Sequence, residues 1–180
     1  LKNVSFELHK GEILGLAGML GSGRTEILRA VYGLDRIHAG TVTIAGKAVE
    51  KPTPFKMKRK GLGFTSENRK DEGLCLRLSI GENLLLANYE NISPKGIIDK
   101  KLERQFITRQ IDGLSIKVAD ESLLASSLSG GNQQKLVVGN WLNTKPQVLL
   151  MDEPSRGIDV NAKQQIFQVV YDEAKKGVAT

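Results

Sequence analysis

The sequence of 180 residues is poor in the residues that mark several classes of protein. It contains one cysteine, Cys75, and two histidines, His9 and His38. A single cysteine cannot form an internal disulfide, so the chain is expected to work in a reducing compartment. No histidine lies near Cys75 in the sequence, and we predict a buried or inert thiol rather than a nucleophile. Both histidines are predicted to be surface residues.

Long apolar runs and a surplus of acidic residues are also lacking. No stretch of 18 apolar residues occurs, so no segment is expected to cross a bilayer. The first residues lack the basic start and apolar run of a signal peptide. Lysine and arginine total 26 against 20 acidic residues, which leaves a net charge of +6. That charge is compatible with nucleic acid, a phosphate-rich ligand, an anionic membrane or a merely solvated surface.

The length and the apolar content of 40% are those of one domain with a real core. The sequence starts on Leu1 without a methionine, and residues 178–180 look like the opening of a strand. We therefore expect a single domain over residues 1–180, cut from something longer at both ends.

Periodicity along the chain predicts an α/β protein with an inserted helical part. Alternating or apolar runs predict strands at 3–8, 12–17, 41–44, 62–66 and 148–151. Helical spacing predicts helices at 25–31, at 80–89, at 99–112, before Leu142 and from Asn161 onward. Strand signals are few from about residue 79 to about 125, and we predict a helical subdomain at about 79–142.

A glycine-rich loop lies between a predicted buried strand and a predicted helix. It fits the pattern of a phosphate-binding loop, G-x-x-x-x-G-K-[ST], except that arginine replaces lysine. Glycines let successive N–H groups face a phosphate, and the helix that follows adds its positive end. Thr25 is the hydroxyl expected on Mg²⁺. The other residues expected to bind nucleotide are Gly18, Gly21, Ser22, Gly23 and Arg24.

Two carboxylates follow the apolar strand predicted at 148–151. Asp152 is placed to hold Mg²⁺ through its water shell, and Glu153 is placed to take a proton from an attacking water. The ends of parallel strands gather ligands in α/β sheets, so the loop and these carboxylates are expected to meet. A solvated turn is the alternative for an isolated pair of acids, and the upstream phosphate loop argues against it.

The segment Leu128-Ser129-Gly130-Gly131-Asn132-Gln133-Gln134 is the most specific motif. A serine cap and two glycines leave the first N–H groups of a helix open to an anion. In this order, after a phosphate loop and before an Asp-Glu strand end, it resembles the signature of the ATP-binding cassette (ABC) family. Asp159 resembles that family's D-loop aspartate. The resemblance covers essentially the whole chain.

The resemblance implies a P-loop NTPase core with an inserted helical subdomain and an N-terminal antiparallel β part. It implies an ATPase in which two cassettes meet head to tail, each ATP lying between the loop of one and the signature of the other. The signature residues implied to contact ATP are Ser129, Gly130, Gly131 and Gln133, together with Asp159. A membrane-spanning permease is the implied partner of the helical subdomain.

The sequence also resembles one subgroup of this family. The segments at 23–26, 66–70 and 128–135 resemble those of bacterial importers of ribose, galactose or arabinose, whose ATPase carries two cassettes in one polypeptide. Their second, C-terminal cassette commonly has arginine at the lysine position. This implies a peripheral protein on the cytoplasmic face of the inner membrane, served indirectly by a periplasmic sugar-binding protein, with no nucleic acid expected.

Two departures and two alternatives accompany the resemblance. Ser66-Glu67 stands where the family usually has a glutamine, so no metal role is assigned to Glu67. The family's switch histidine and adenine-stacking aromatic are expected outside residues 1–180. The alternatives are a soluble ABC ATPase acting on nucleic acid or the ribosome, and a cassette that binds ATP without hydrolysing it.

Overall fold

The computed structural model describes residues 2–180, Lys95 by its backbone alone. At its centre two strands lie side by side and parallel: Leu62–Thr65, here β3, and Val148–Met151, here β4. Leu62 is opposite Val148 and Thr65 is opposite Met151. The whole of β3 is buried, as expected for a parallel strand covered on both faces. Both strands were predicted, and both lie within one or two residues of the predicted bounds.

The sheet extends beyond β4 by backbone pairing with the end of the chain. Ala179 forms a parallel bridge with Val148. Thr180 then donates to the Glu12 carbonyl at 2.8 Å and accepts from the Leu14 N–H at 2.8 Å. The buried strand predicted at 12–17 is therefore wrong in extent and burial. The segment pairs only around residues 12–14, and Ile13 is 48% exposed, because an apolar run does not by itself supply neighbours that cover it.

The N-terminal β part is reduced to one antiparallel hairpin. Its strands are Thr43–Ile44 (β1) and Lys47–Ala48 (β2), joined through Ala45 and Gly46, both with positive φ. Such a turn matches the twist of a hairpin. The strand predicted at 3–8 does not form, and Val4 and Phe6 are 48% and 44% exposed.

Two helices pack on strands β3 and β4 together with the hairpin. They are α1, Arg24–Tyr32, and α2, Pro54–Arg59. Tyr32 stacks on Phe64 of β3 with ring centroids 5.2 Å apart. Their small apolar core also contains Val49, Met57, Leu62 and Leu150. This packing fixes α1 against the strands, and hence the loop that precedes α1.

The helical part predicted between residues 79 and 142 is present. Its helices are α3 (Ile80–Leu85), α4 (Tyr89–Ile92), α5 (Lys100–Gly113) and α6 (Gly130–Leu142). A fully buried apolar cluster joins them, including Ile80, Leu84, Leu85, Ile92, Leu136, Val137 and Val138. The helix predicted at 80–89 is interrupted after Leu85, where the buried Asn140 side chain accepts the Ala87 N–H at 2.8 Å. The bounds 79–142 for a separate subdomain stay a prediction.

The last helix, α7, covers Val160–Lys175. Its buried face includes Ile166, Val170 and Ala174. Gly177 has φ +98°, the left-handed conformation that commonly ends a helix. Among residues 2–180, the structure contains no helix both long and apolar enough to cross a membrane.

Candidate functional site

The glycine-rich loop adopts a backbone that depends on glycine. Gly21 and Gly23 have φ of +78° and +95°, a region that other residues rarely enter. Gly23 directly precedes α1, and no side chain caps the helix there. A Cβ on Gly18 would lie 2.3 Å from the Ser22 hydroxyl oxygen. The first N–H groups of α1 are thus left for a ligand, which is the arrangement that binds phosphate.

The two residues that open α1 lie near the two carboxylates that follow β4. Arg24 Nη2 lies 2.8 Å from Glu153 Oε1. Thr25 and Asp152 line the same cavity, and the Thr25 side chain partly offsets the rise that burial causes in the pKa of that carboxylate. The structure therefore brings together the phosphate loop and the acidic strand end that the sequence predicted to meet.

Asp152 is the buried member of this cluster, with 4% of its surface exposed. Its N–H donates to the Thr65 carbonyl at 2.9 Å, which prolongs the β3–β4 pairing by one residue. Burial raises the pKa of Asp152 above its ordinary value, and the nearby Glu153 charge raises it further. The Thr25 side chain and the Arg24 charge act in the opposite direction. An ionised carboxylate here is short of positive charge, which favours a bound cation.

A cavity of ≈ 100 Å³ lies beside this carboxylate. Its lining joins helix α1 to the segments that follow β3 and β4: Thr25, Arg29, Phe64, Ser66, Glu67, Asn68, Glu72 and Asp152. Within residues 2–180, the buried Thr65 hydroxyl has no hydrogen-bond partner. The Thr25 hydroxyl and the Asp152 carboxylate line the same cavity. They are oxygen ligands of the kind that Mg²⁺ takes, with water and phosphate oxygens as the remaining ligands. The residues present fit that ion.

Glu153 occupies a strained backbone position. Its φ is +45°, in the left-handed region that costs a residue with a side chain free energy and that recurs at active sites. Its carboxylate is 37% exposed, whereas the neighbouring Asp152 is buried. The two acids therefore differ in environment, which suits one to a cation and the other to an exchanging proton.

The signature begins helix α6 as predicted. The Ser129 hydroxyl accepts the Asn132 N–H at 3.4 Å and caps the helix. A Cβ on Gly131 would lie 2.5 Å from the Ala162 Cβ, so the helix start packs closely on α7. Gln133, which the resemblance implies to contact ATP, is buried and donates to the Ala125 carbonyl at 3.4 Å, and its contact with ATP stays a prediction.

Asp159 lies beside this helix start. Its Oδ1 accepts the Ala162 N–H at 2.9 Å and caps α7. Its Oδ2 would lie 3.6 Å from a Cβ on Gly131. Within residues 2–180, no hydrogen bond or ion pair joins the signature to the phosphate loop. The expected nucleotide residues thus form two groups, one around Arg24 and Asp152 and one around Ser129 and Asp159.

Three charged residues that the sequence did not single out for a role connect these groups. Glu67 pairs with Arg156, and the Arg69 guanidinium donates to the carbonyls of Arg156 and Gly157. The charged run at 67–72 was the available signal, although a run of charges indicates only a solvated loop without its partners.

The two histidines and the cysteine, for which the sequence indicates no functional role, lie at the surface. His9 and His38 are exposed, as predicted. Cys75 was predicted to be buried or inert; it is exposed, so it is not buried, and its inertness stays a prediction.

Curated relatives match almost the whole chain. Ribose import ATP-binding protein RbsA of Bacillus licheniformis and that of Bacillus subtilis are each 48% identical over 178 residues. The protein of the same name from Lactococcus lactis subsp. cremoris is 44% identical over 177 residues. These alignments cover 98 to 99% of the chain and 36% of each relative. The chain thus spans about a third of the length of these relatives.

Solved structures share the fold. A dimeric ATP-binding cassette in a post-hydrolysis state bound to ADP and Pi superposes with a TM-score of 0.84 at 22% identity, covering 99% of this chain and 76% of that one. A nucleotide-free cassette from an ABC transporter superposes with a TM-score of 0.78, covering 97% and 71%. The predicted fold class, an ABC ATPase cassette, is confirmed. A family model described as ABC transporter matches residues 1–156, and the chain belongs to that family.

Proposed function

We propose that this chain is an ATP-binding and ATP-hydrolysing cassette that energises the import of a simple sugar across the bacterial inner membrane. One observation carries the proposal. Arg24, which opens the helix after the phosphate loop, pairs with Glu153 at the end of the neighbouring strand, and the next residue, Thr25, lines one cavity with Asp152. Phosphate binding, cation binding and a candidate base thereby meet at one edge of the sheet.

Each residue of that edge has a role in the proposed reaction. The N–H groups freed by Gly21 and Gly23 bind phosphate oxygens, and Arg24 adds a positive charge to them. Glu153 accepts a proton from the attacking water and orients it. Thr25 and Asp152 hold Mg²⁺, which when bound neutralises charge on the phosphates.

The second group of residues supports a paired arrangement. Ser129, Gly130, Gly131 and Asp159 lie together at two helix starts, and none of them reaches this chain's own loop through a hydrogen bond within residues 2–180. We infer that they complete an ATP site on a second cassette. Membrane-spanning permease subunits and, through them, a periplasmic sugar-binding protein are the further partners. The protein is then peripheral, on the cytoplasmic face of the membrane.

The second cassette is proposed to lie in the same polypeptide, because the chain matches 36% of its relatives' length. We propose that this one is the C-terminal cassette. Arg24 at the lysine position and the extended signature favour that assignment, which the matches to the longer relatives do not confirm. Determining the flanking sequence tests it: a preceding cassette with Gly-Lys-Ser/Thr supports the assignment, and a following cassette makes this one the first.

Hydrolysis is tested by Glu153→Gln in the full-length protein. We expect ATP binding to be retained and hydrolysis by the site that uses Glu153 to be lost, because an amide cannot accept the proton. Single-turnover measurements with labelled ATP separate this site from the other. Unchanged single-turnover hydrolysis would favour a cassette that binds ATP without hydrolysing it.

Ribose is the first cargo to test, because the relatives are named for its import. Vesicles that contain the full-length protein and its permease, with the sugar-binding protein on the opposite side, should take up labelled ribose when ATP is supplied on the cytoplasmic side. Galactose and arabinose, run in parallel, define the sugar. The alternative of an ATPase acting on nucleic acid draws on the charge of +6 and predicts DNA or RNA binding with a steep salt dependence.

A further inference from the structure

The Arg69 side chain joins two segments far apart in sequence. Arg69 begins a π-helical turn, Arg69–Gly73, in the loop after β3. Its Nη1 donates to the Arg156 carbonyl at 2.7 Å and its Nη2 donates to the Gly157 carbonyl at 3.1 Å. A planar guanidinium suits two successive carbonyls, whereas an ammonium is a single point of charge. The main chain that follows Glu153 is thus held from the β3 side.

A second contact joins the same two segments, this time through a side chain of the later segment. The Arg156 side chain forms an ion pair with the Glu67 carboxylate. Glu67 is therefore engaged by a protein cation, on a segment that also lines the cavity beside Asp152. We call these contacts of Glu67 and Arg69 with residues 156–157 the Arg69 clamp.

The start of helix α6, which carries the signature, also packs against the Arg69 guanidinium. A Cβ on Gly130 would lie 2.9 Å from Arg69 Nη2 and 3.1 Å from the Gly157 carbonyl oxygen. Any side chain at position 130 would push against the clamp. Three segments separated in sequence therefore meet at Arg69: the loop after β3, the start of α6 and the loop before α7.

The clamp leads directly to Glu153. The Arg156 N–H donates to the Glu153 carbonyl at 2.9 Å, which closes the turn that carries this acid. The backbone of Glu153 has φ +45°, a conformation that persists only where the surroundings impose it. The Arg69 Nε is buried without a partner within residues 2–180.

We infer that Arg69 is a positioning residue for ATP hydrolysis, which with Glu67 and Arg156 holds the turn of Glu153 in place. This inference deepens the proposed function and rests on it. Glu67, at the position where the family usually has glutamine, acts in this scheme as a partner of Arg156. Because the start of α6 packs on the same guanidinium, a shift of the signature would also shift the turn that carries Glu153.

The test uses the full-length protein with Arg69→Lys. A lysine keeps the charge but cannot bridge both carbonyls. We expect kcat for ATP hydrolysis to fall about 10- to 100-fold, as small misplacements of a catalytic group do, with the Kd for ATP and the thermal midpoint little changed. Arg109→Lys is the matched control, because within residues 2–180 this exposed arginine on α5 makes no hydrogen bond or ion pair. An unchanged kcat in Arg69→Lys would overturn the inference.

A charge exchange tests the second contact of the clamp. Glu67→Arg and Arg156→Glu should each lower kcat, and the double variant should recover part of it. A double variant no better than the worse single variant contradicts the proposed role of this ion pair. If Arg69→Lys unfolds while Arg109→Lys does not, Arg69 is structural and the inference fails.

Hydrogen exchange separates this inference from the proposed function. The amide of Arg156 should exchange faster in Arg69→Lys than in the unaltered protein, whether or not the protein hydrolyses ATP. An unaltered full-length protein without ATPase activity contradicts the proposed function. Unchanged exchange at Arg156 contradicts the clamp by itself.

Discussion

Arg24 and Glu153 form an ion pair across the candidate site, with Arg24 Nη2 2.8 Å from Glu153 Oε1 and side chains 29% and 37% exposed. The first residue is expected to contact phosphate, and the second is the proposed base. The pair therefore places the two roles in competition, because a phosphate that attracts Arg24 releases the carboxylate of Glu153 for an attacking water. At this exposure the pair adds little to stability, so its consequences should be seen in activity.

Arg24 is predicted to matter less for transport than the signature does. The wider guanidinium fits a wrapped phosphate less well than lysine, so this chain's own loop would form the weaker ATP site. We expect Arg24→Ala in the full-length protein to lower ATP-driven sugar uptake less than Ser129→Ala does, and less than Gly131→Ala does under conditions where that variant is folded. Uptake abolished by Arg24→Ala and unaffected by the signature changes would refute this asymmetry.

Gly131 is predicted to be intolerant of a side chain for steric reasons. The Cβ of Gly131→Ala would lie 2.5 Å from the Ala162 Cβ, and the overpacking should lower the free energy of unfolding by about 1–3 kcal/mol. Gly113→Ala is the control. Its Cβ meets nothing within 4 Å, and alanine should stabilise α5 by up to about 1 kcal/mol. Urea unfolding of both variants measures the difference, and equal shifts would contradict the close packing of α6 on α7.

Asn83 is predicted to be the most sensitive polar residue of the helical part. It is fully buried, accepts the Cys75 N–H at 2.9 Å and donates to the carbonyls of Cys75, Leu78 and Ser79. Asn83→Ala would leave these groups unpaired and should cost about 3 kcal/mol of unfolding free energy. The exposed Asn161, which makes no side-chain hydrogen bond within residues 2–180, is the control. Similar losses in Asn83→Ala and Asn161→Ala would contradict this prediction.

The cap of α3 is predicted to depend on pH. The Ser79 hydroxyl and N–H both donate to the Glu82 carboxylate, and these hydrogen bonds lower the pKa of Glu82. A lowered pKa contributes stability above the unfolded value, and that stability is lost as the pH falls through the folded value. Ser79→Ala should cost about 1 kcal/mol at pH 7, and the cost should shrink on acidification. Denaturant unfolding of both proteins at pH 7 and at a pH below the lowered pKa of Glu82 checks this. A cost of Ser79→Ala that does not change with pH would contradict it.

The parts of the fold that local sequence specifies were predicted well. Strand β4 has the predicted bounds, α6 starts after the predicted serine cap, and α7 starts within one residue of the prediction. The strands predicted at 3–8 and 12–17 failed. Alternation shows that a strand could bury one face, whereas burial also needs a neighbour, and Ile13 and Phe6 have too few to cover them.

Three motifs in a fixed order were determined by the sequence alone, namely a phosphate loop, a signature and an acidic strand end. Such motifs are local, because glycines, caps and strand-end acids act through their own backbone. Only the tertiary structure decided that Arg24 faces Glu153 and that Arg69 reaches the carbonyl of Arg156, 87 positions further along the chain. Those contacts depend on how β3, β4 and α6 pack together, and no periodicity in one segment records the side chains of another.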